Sequence, residues 1–389
     1  MSIKVYIDQK DYINIANGIL GDTRFNDEVQ SYDYLLSLVK EEKVKVYFSW
    51  AHITETLNYA NVITDSFRKQ CEIVDELTQG NCFIESTKII IQEVKEYLCN
   101  EFCKKNQREQ NDYTSAIDKE SYYTEYNNDY KLLREMMPAR MKEQLKKKIQ
   151  SASKDELNKW FSNRSSMTRD DLKDLLTFQD DAIKKYFAGT ASFETLILKY
   201  RDWWSLYGNI NKRPNSREIQ FIEFMEPHRE LMILGFEIIA DQRTDNVKQK
   251  IKQELTKRYN KITDDMIEYI TIYYKRECPR YIEEYLQRKA INKSDAFKKL
   301  DDFNNILGVR FYKELIREYL KGNSGFTNKP RKLDKNDYLD TEHLRYLPYV
   351  NCFVTEVYFG SIARKIAPKY NAKVFNNLTE LRGYLETLN

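Results

Sequence analysis

The chain has 389 residues, 41% of them hydrophobic and 32% charged, with only 11 Gly and 7 Pro, which excludes collagen-like and low-complexity chains and describes a globular protein. Its 63 basic and 60 acidic residues leave a net charge of only +3, so any contact with nucleic acid must come from a local patch rather than a strongly basic domain. No apolar run approaches the roughly 20 residues of a membrane span, the start MSIKVYIDQ carries no secretory h-region, and the six cysteines contain no CxxC pair, so a cytoplasmic protein with reduced thiols is expected.

In chain order, IKVYI at 3–7 alternates apolar and polar positions and predicts a strand that stops at Asp8. Helical spacing follows from about Tyr12, and again through Tyr32, Leu35, Leu36 and Val39. KVKVYFS at 43–49 predicts a second strand, running into the helical spacing of AHITETLNYANVI. A helix over 65–78 is expected to end at Gly80, and NCFIE at 81–85 predicts a short third strand. Strand alternating with helix is the grammar of a parallel α/β sheet.

From about 88 to 322 the sequence holds almost no convincing strand. Segments such as KIIIQEVKEYLCNEFCKK, YRDWWSLYG, IQFIEFMEPHRELMILGFEIIADQ and DDMIEYITIYYKRECPRYIEEYLQRKAI predict helices. Turn signals fall at GNINKRPN (208–215) and GNSGFTNKP (322–330). Cys99 and Cys103 share a helical face but lack the further ligands of a zinc site. After Pro330 the α/β grammar returns: NDYLDTEHL as a helix, VNCFVT as a strand, GSIARKIAPKY as a helix, AKVF at 372–375 as a strand, and LTELRGYLETL as a closing helix. The expected architecture is one α/β domain in two pieces, residues 1–90 and 331–389, interrupted by an all-α insertion over 91–330.

Acidic residues recur at the junctions of these elements: Asp8 and Asp11 after the first strand, Glu55 after the second, Asp337 and Asp340 opening a helix, and Glu356 in FVTE. In a parallel sheet, residues just past the carboxyl ends of strands gather along one edge. Carboxylates drawn together there repel unless a cation balances them, and Mg2+ or Mn2+ does so while providing hydrolytic chemistry. Each acid also has a plain local use, as a helix cap or as a partner of the helix dipole.

The ordered pieces YIDQKDYINIA, FSWAHITETLN, DYLDTEHLRYLPYVNCFVTEVYF and AKVFNNLTELRGYL resemble a PIN-like nuclease domain over about 150 of the 389 residues. The resemblance implies a three-layer PIN-like parallel sheet and metal-dependent endoribonuclease activity, with Mg2+ or Mn2+ activating water and products ending in 5′-phosphate and 3′-hydroxyl. It implies Asp8, Glu55, Asp340 and Glu356 as metal ligands and catalytic acids, with Asp11, Asp337, Asn351 and His343 in supporting positions. His52 and His343 would orient ligands or make structural hydrogen bonds. Two positions depart from the pattern: Asn351 stands where relatives often carry Asp, and Glu356–Val357 where an Asp pair or T-x-D is common.

For the nucleic acid itself, the sequence offers Lys10 beside Gln9 in the first turn, Lys212 and Arg213, Arg331 and Lys332, and Arg364 and Lys365. RNA is expected ahead of DNA, without a membrane, and the helical insertion leaves room for a protein partner or a homo-oligomer. By analogy such a chain would serve as a toxin-like or antiviral-defence nuclease. The alternatives are a catalytically degenerate PIN-like scaffold that binds RNA or protein, and a structure-selective DNA nuclease.

Overall fold

The computed structural model of the protein describes residues 2–59, 63–83, 86–102, 185–186, 188–199, 201, 216–240, 244–300, 303–321 and 336–388. The expected turns at 208–215 and 322–330, and Trp203, Trp204 and Cys103, lie outside these residues. The strands are β1 (Ile3–Ile7), β2 (Val44–Ser49), β3 (Cys82–Phe83), β4 (Cys352–Val354) and β5 (Lys373–Phe375). The helices are α1 (Gln9–Ile19), α2 (Asn26–Lys40), α3 (Trp50–Tyr59), α4 (Asp65–Thr78), α5 (Ser86–Phe102), α6 (Ser216–Ala240), α7 (Asp245–Arg288), α8 (Lys293–Lys299), α9 (Leu307–Lys321), α10 (Asn336–Leu344), α11 (Val357–Ile366) and α12 (Leu378–Glu386). Five strands make one sheet in the order β3-β2-β1-β4-β5, and the pairs β1–β2, β2–β3 and β4–β5 all run parallel. The protein is therefore α/β. Between β3 and β4 every regular element among the described residues is helical.

The chain forms two compact units. Met1–Phe83, Asp112–Asn215 and Asn377–Asn389 make the first, and Ile84–Asn111 with Ser216–Asn376 the second. In the first, β1 pairs with β2 in the register Ile3↔Val44 to Tyr6↔Tyr47. The expected alternation of β1 gives way at its end, where Val5, Tyr6 and Ile7 are all buried. A central parallel strand is covered on both faces, so Tyr6 needs a polar partner, and its hydroxyl meets Ser49 Oγ at 2.6 Å. Helix α4 starts on Thr64, whose side chain accepts from Phe67 N. Its left-handed cap falls on Gln79 (φ 49°), one residue ahead of the expected glycine, and Gly80 continues at φ 76° to turn the chain into β3.

In the second unit, β4 and β5 pair from Cys352↔Lys373 to Val354↔Phe375. Helix α7 has 44 residues with Pro279 inside it, a length of about 66 Å at 1.5 Å per residue. Helices α5, α7 and α9 pack together. They bury Ile90, Val94, Ile270, Tyr274, Phe311 and Leu315, among others.

Candidate metal and nucleic-acid site

In the first unit the chain leaves β1 at Ile7 and enters α1 through Asp8, whose extended backbone and side chain cap the helix by accepting from Lys10 N at 3.3 Å. Asp8 is nonetheless buried, as is Asp11 in the first helical turn. Burial holds the Asp11 carboxyl well above the usual carboxylate range, and the charges of Asp8 and Glu28 raise it further. Lys10 and a hydrogen bond from the backbone of Leu378, at the start of α12, only partly offset this. Burial and the neighbouring Asp8 thus favour the neutral form of the Asp11 carboxyl. Lys10 is exposed beside them.

Gln9 is fully buried, which removes it from contact with a substrate. Its Nε2 donates to Thr56 Oγ1 at 2.7 Å, and Thr56 in turn donates to the carbonyl of His52. Glu55, between these residues on α3, is half-buried a turn and a half past the end of β2.

His52 settles into a structural role. Its Nδ1 accepts from Ser49 N at 3.0 Å, so Nε2 carries the proton and donates to the carbonyl of Ile7 at 2.7 Å. The ring thereby ties the carboxyl end of β1 to that of β2, packed against Tyr6 and Tyr12. His52→Ala leaves both backbone groups without their partner and opens a ring-sized cavity, and is expected to cost roughly 2–4 kcal/mol. Urea unfolding checks this value, and a loss below about 1 kcal/mol would remove the staple argument.

In the second unit, α10 carries Asp337, Asp340 and His343. Asp337 and His343 are buried and Asp340 is half-buried. Asp337 sits in the first helical turn, where its carbonyl accepts from Thr341 Oγ1 at 2.7 Å. Glu356 is half-buried at the start of α11 and makes no side-chain capping bond. Asn351 is exposed just before β4, whereas Glu356 follows it, so the two stand at opposite ends of that strand. Thr355, between β4 and Glu356, donates its N–H to Phe375 O at 3.0 Å. Arg364 and Lys365 are exposed on α11. Lys212, Arg213, Arg331 and Lys332 lie outside the described residues. Among the described residues, no three or more His, Cys, Asp and Glu side chains group so as to hold a metal ion.

Two polar clusters in this unit were not anticipated. Glu93 on α5 is buried, with Oε2 accepting from Gly308 N and Oε1 from the Tyr349 hydroxyl, each at 2.8 Å. Burial pushes its carboxyl up to about 7. The available signal was an acid on the apolar stripe Ile89–Ile90–Glu93–Val94, where helical spacing otherwise predicts core. Arg345 is also buried, donating to Glu342 at 2.8 Å and to the Tyr274 hydroxyl at 2.6 Å under the Tyr312 ring. Glu342 and Arg345 have the i,i+3 spacing of a helical pair, but no spacing rule links them to Tyr274 or Tyr312.

Compared with protein-family models, curated proteins and solved structures, the chain matches none.

Proposed function

We propose that this chain is a metal-dependent endoribonuclease of PIN-like type. The observation that carries the reading is the buried Asp8–Asp11 pair at the carboxyl end of β1, where ligands of parallel sheets bind. Its donors are all hard carboxylate oxygens, the chemistry that suits Mg2+ or Mn2+. Magnesium is usually held by only one or two protein carboxylates, with water and substrate phosphate completing the shell, so a three-residue cage is not required. In the first unit Asp8 would hold the ion, and Glu55 on α3 is the next acid that the resemblance implies there. When bound, the ion supplies activation of water and stabilisation of the phosphoryl charge.

The chain's own contribution is positional. The Lys10 N–H orients the Asp8 carboxylate, His52 fixes the strand end that carries Asp8, and the buried surroundings of Asp11 exclude water from one side of the pair.

A second reading, a catalytically degenerate scaffold that binds RNA or protein, is favoured by the absence among the described residues of a three-ligand group. One experiment separates the two. Labelled tRNA, mRNA and single-stranded DNA are incubated with the protein in Mn2+ or Mg2+ and in EDTA. Cation-dependent cleavage of RNA to products with 5′-phosphate is expected. Cleavage that persists in EDTA overturns the metal-carboxylate mechanism, cleavage of DNA alone moves the assignment to a DNA nuclease, and no cleavage leaves the scaffold.

A further inference from the structure

We infer that Arg364 is a pre-positioned contact for a phosphodiester group of bound nucleic acid, held in place by Asn376 and by the lack of a side chain at Gly360. This rests on the nucleic-acid half of the reading above and is independent of cleavage.

Helical side chains lean toward the amino end of their helix, and Arg364, two turns along α11, follows that rule. Its Nη2 donates to Asn376 Oδ1, just past the end of β5, and its Nε to the carbonyl of Val374 at 3.4 Å. The guanidinium therefore lies alongside Gly360, where an added Cβ would come within 3.5 Å of Nη2 and 2.9 Å of Asn376 Oδ1. Gly360 is also bonded through its N–H to the carbonyl of Glu356 at 2.7 Å. These contacts bring the charge of Arg364 to the end of the unit where β4 and β5 finish.

What distinguishes this arginine is the nature of its anchors. Arg24, Arg68, Arg317 and Arg382 are partly or largely exposed and each faces a carboxylate. Arg364 is exposed too, yet both of its anchors are neutral oxygens. Among the described residues no carboxylate pairs with its charge and Nη1 has no protein partner, while Nη2 and Nε are held by the two neutral oxygens. A guanidinium held in that way loses little freedom when it meets a phosphate oxygen, and its fork geometry suits that anion.

The test measures binding of a labelled single-stranded oligoribonucleotide in EDTA across a salt series, so that no cleavage is needed. Arg364→Ala is expected to weaken binding about tenfold at low salt and to reduce the slope of log K against log salt by about 0.7, the loss of one contact on a single strand. Asn376→Ala and Gly360→Ala keep the charge but release the guanidinium, so both are expected to weaken binding about threefold with the slope unchanged. Gly360→Ala replaces a glycine inside a helix, which favours folding by propensity. Weaker binding by a variant that is no less stable excludes a merely structural role, and Asn376→Ala tests the same point if Gly360→Ala folds poorly.

Binding and slope identical to wild type in Arg364→Ala overturn the inference, as does a wild-type protein that binds no oligoribonucleotide. Arg364-dependent binding without cleavage under any cation leaves the inference standing and removes the nuclease assignment. Cleavage by a protein whose binding ignores Arg364 does the reverse.

Discussion

Asp8→Asn is expected, on the nuclease reading, to lower RNA cleavage at least about a hundredfold while changing stability by less than about 1 kcal/mol. Removal of residues that merely support metal ligands typically costs 10–100-fold, so loss of a ligand itself should cost no less. Asn is as good a helix cap as Asp, so α1 should start at the same place, with its Lys10 N–H still accepted. Removing the Asp8 charge also removes one of the causes that raise the Asp11 carboxyl, which relieves rather than strains the fold. The measurements are kcat/KM on a labelled RNA and urea unfolding of the same preparation. A variant that cleaves like wild type would reduce Asp8 to a helix cap and take away the main support of the assignment.

The second large effect concerns stability and pH. Glu93 binds its proton more tightly in the folded protein, at about 7, than the ordinary 4.5 of an exposed glutamate. Its contribution is therefore complete below about pH 4.5, and it is lost as pH rises through 7, in the sense opposite to that of a salt-bridged carboxylate. The difference amounts to roughly 3 kcal/mol. Glu93→Gln stays neutral throughout: its carbonyl oxygen can accept from Gly308 N, and the Tyr349 hydroxyl can turn to accept from the new amide. Wild type and variant are expected to unfold at similar urea concentrations near pH 4.5, with the variant increasingly the more stable toward pH 8. Parallel pH profiles for the two proteins would show that Glu93 carries no such burden. A Cβ at Gly308 would approach Ile90 Cγ1 and the Tyr349 hydroxyl to 2.7 Å, which shows how little room this cluster has to relax.

The five strands were legible because each is a short apolar run bounded by turn residues or acids, and each lies within a residue or two of its expected limits. Helix α7 was legible from its apolar spacing as far back as Asp264, but its true start at Asp245 lies in a stretch crowded with lysine, where charge hides the period. Asp8 announced itself by ending a buried strand. Its burial together with Asp11 did not, because spacing along a helix says nothing about what covers it. Gln9 looked like a surface turn residue, and its partner Thr56 is 47 positions away. The Arg364–Asn376 bond was hidden for the same reason: Arg364 read as one of several basic residues, and only the fold sets neutral anchors against it. For His52 the structural hydrogen bonds are explicit, since a backbone N–H on one ring nitrogen fixes what the other must do.

Helix α12 belongs with the first unit, although nearly the whole chain separates it from β1. It packs on α2, sets Arg382 over the Tyr34 ring, and offers the Leu378 N–H to Asp11. In equilibrium terms so long a detour is tolerable, since each doubling of a loop adds only about 0.6 kcal/mol of closure entropy. Its cost falls on time. During synthesis α1 and α2 emerge early, and the flank of α2 that α12 will cover stays open until residues 378–386 have been added. The contacts of α12 with α2 are thus among the last of this unit that synthesis allows to form.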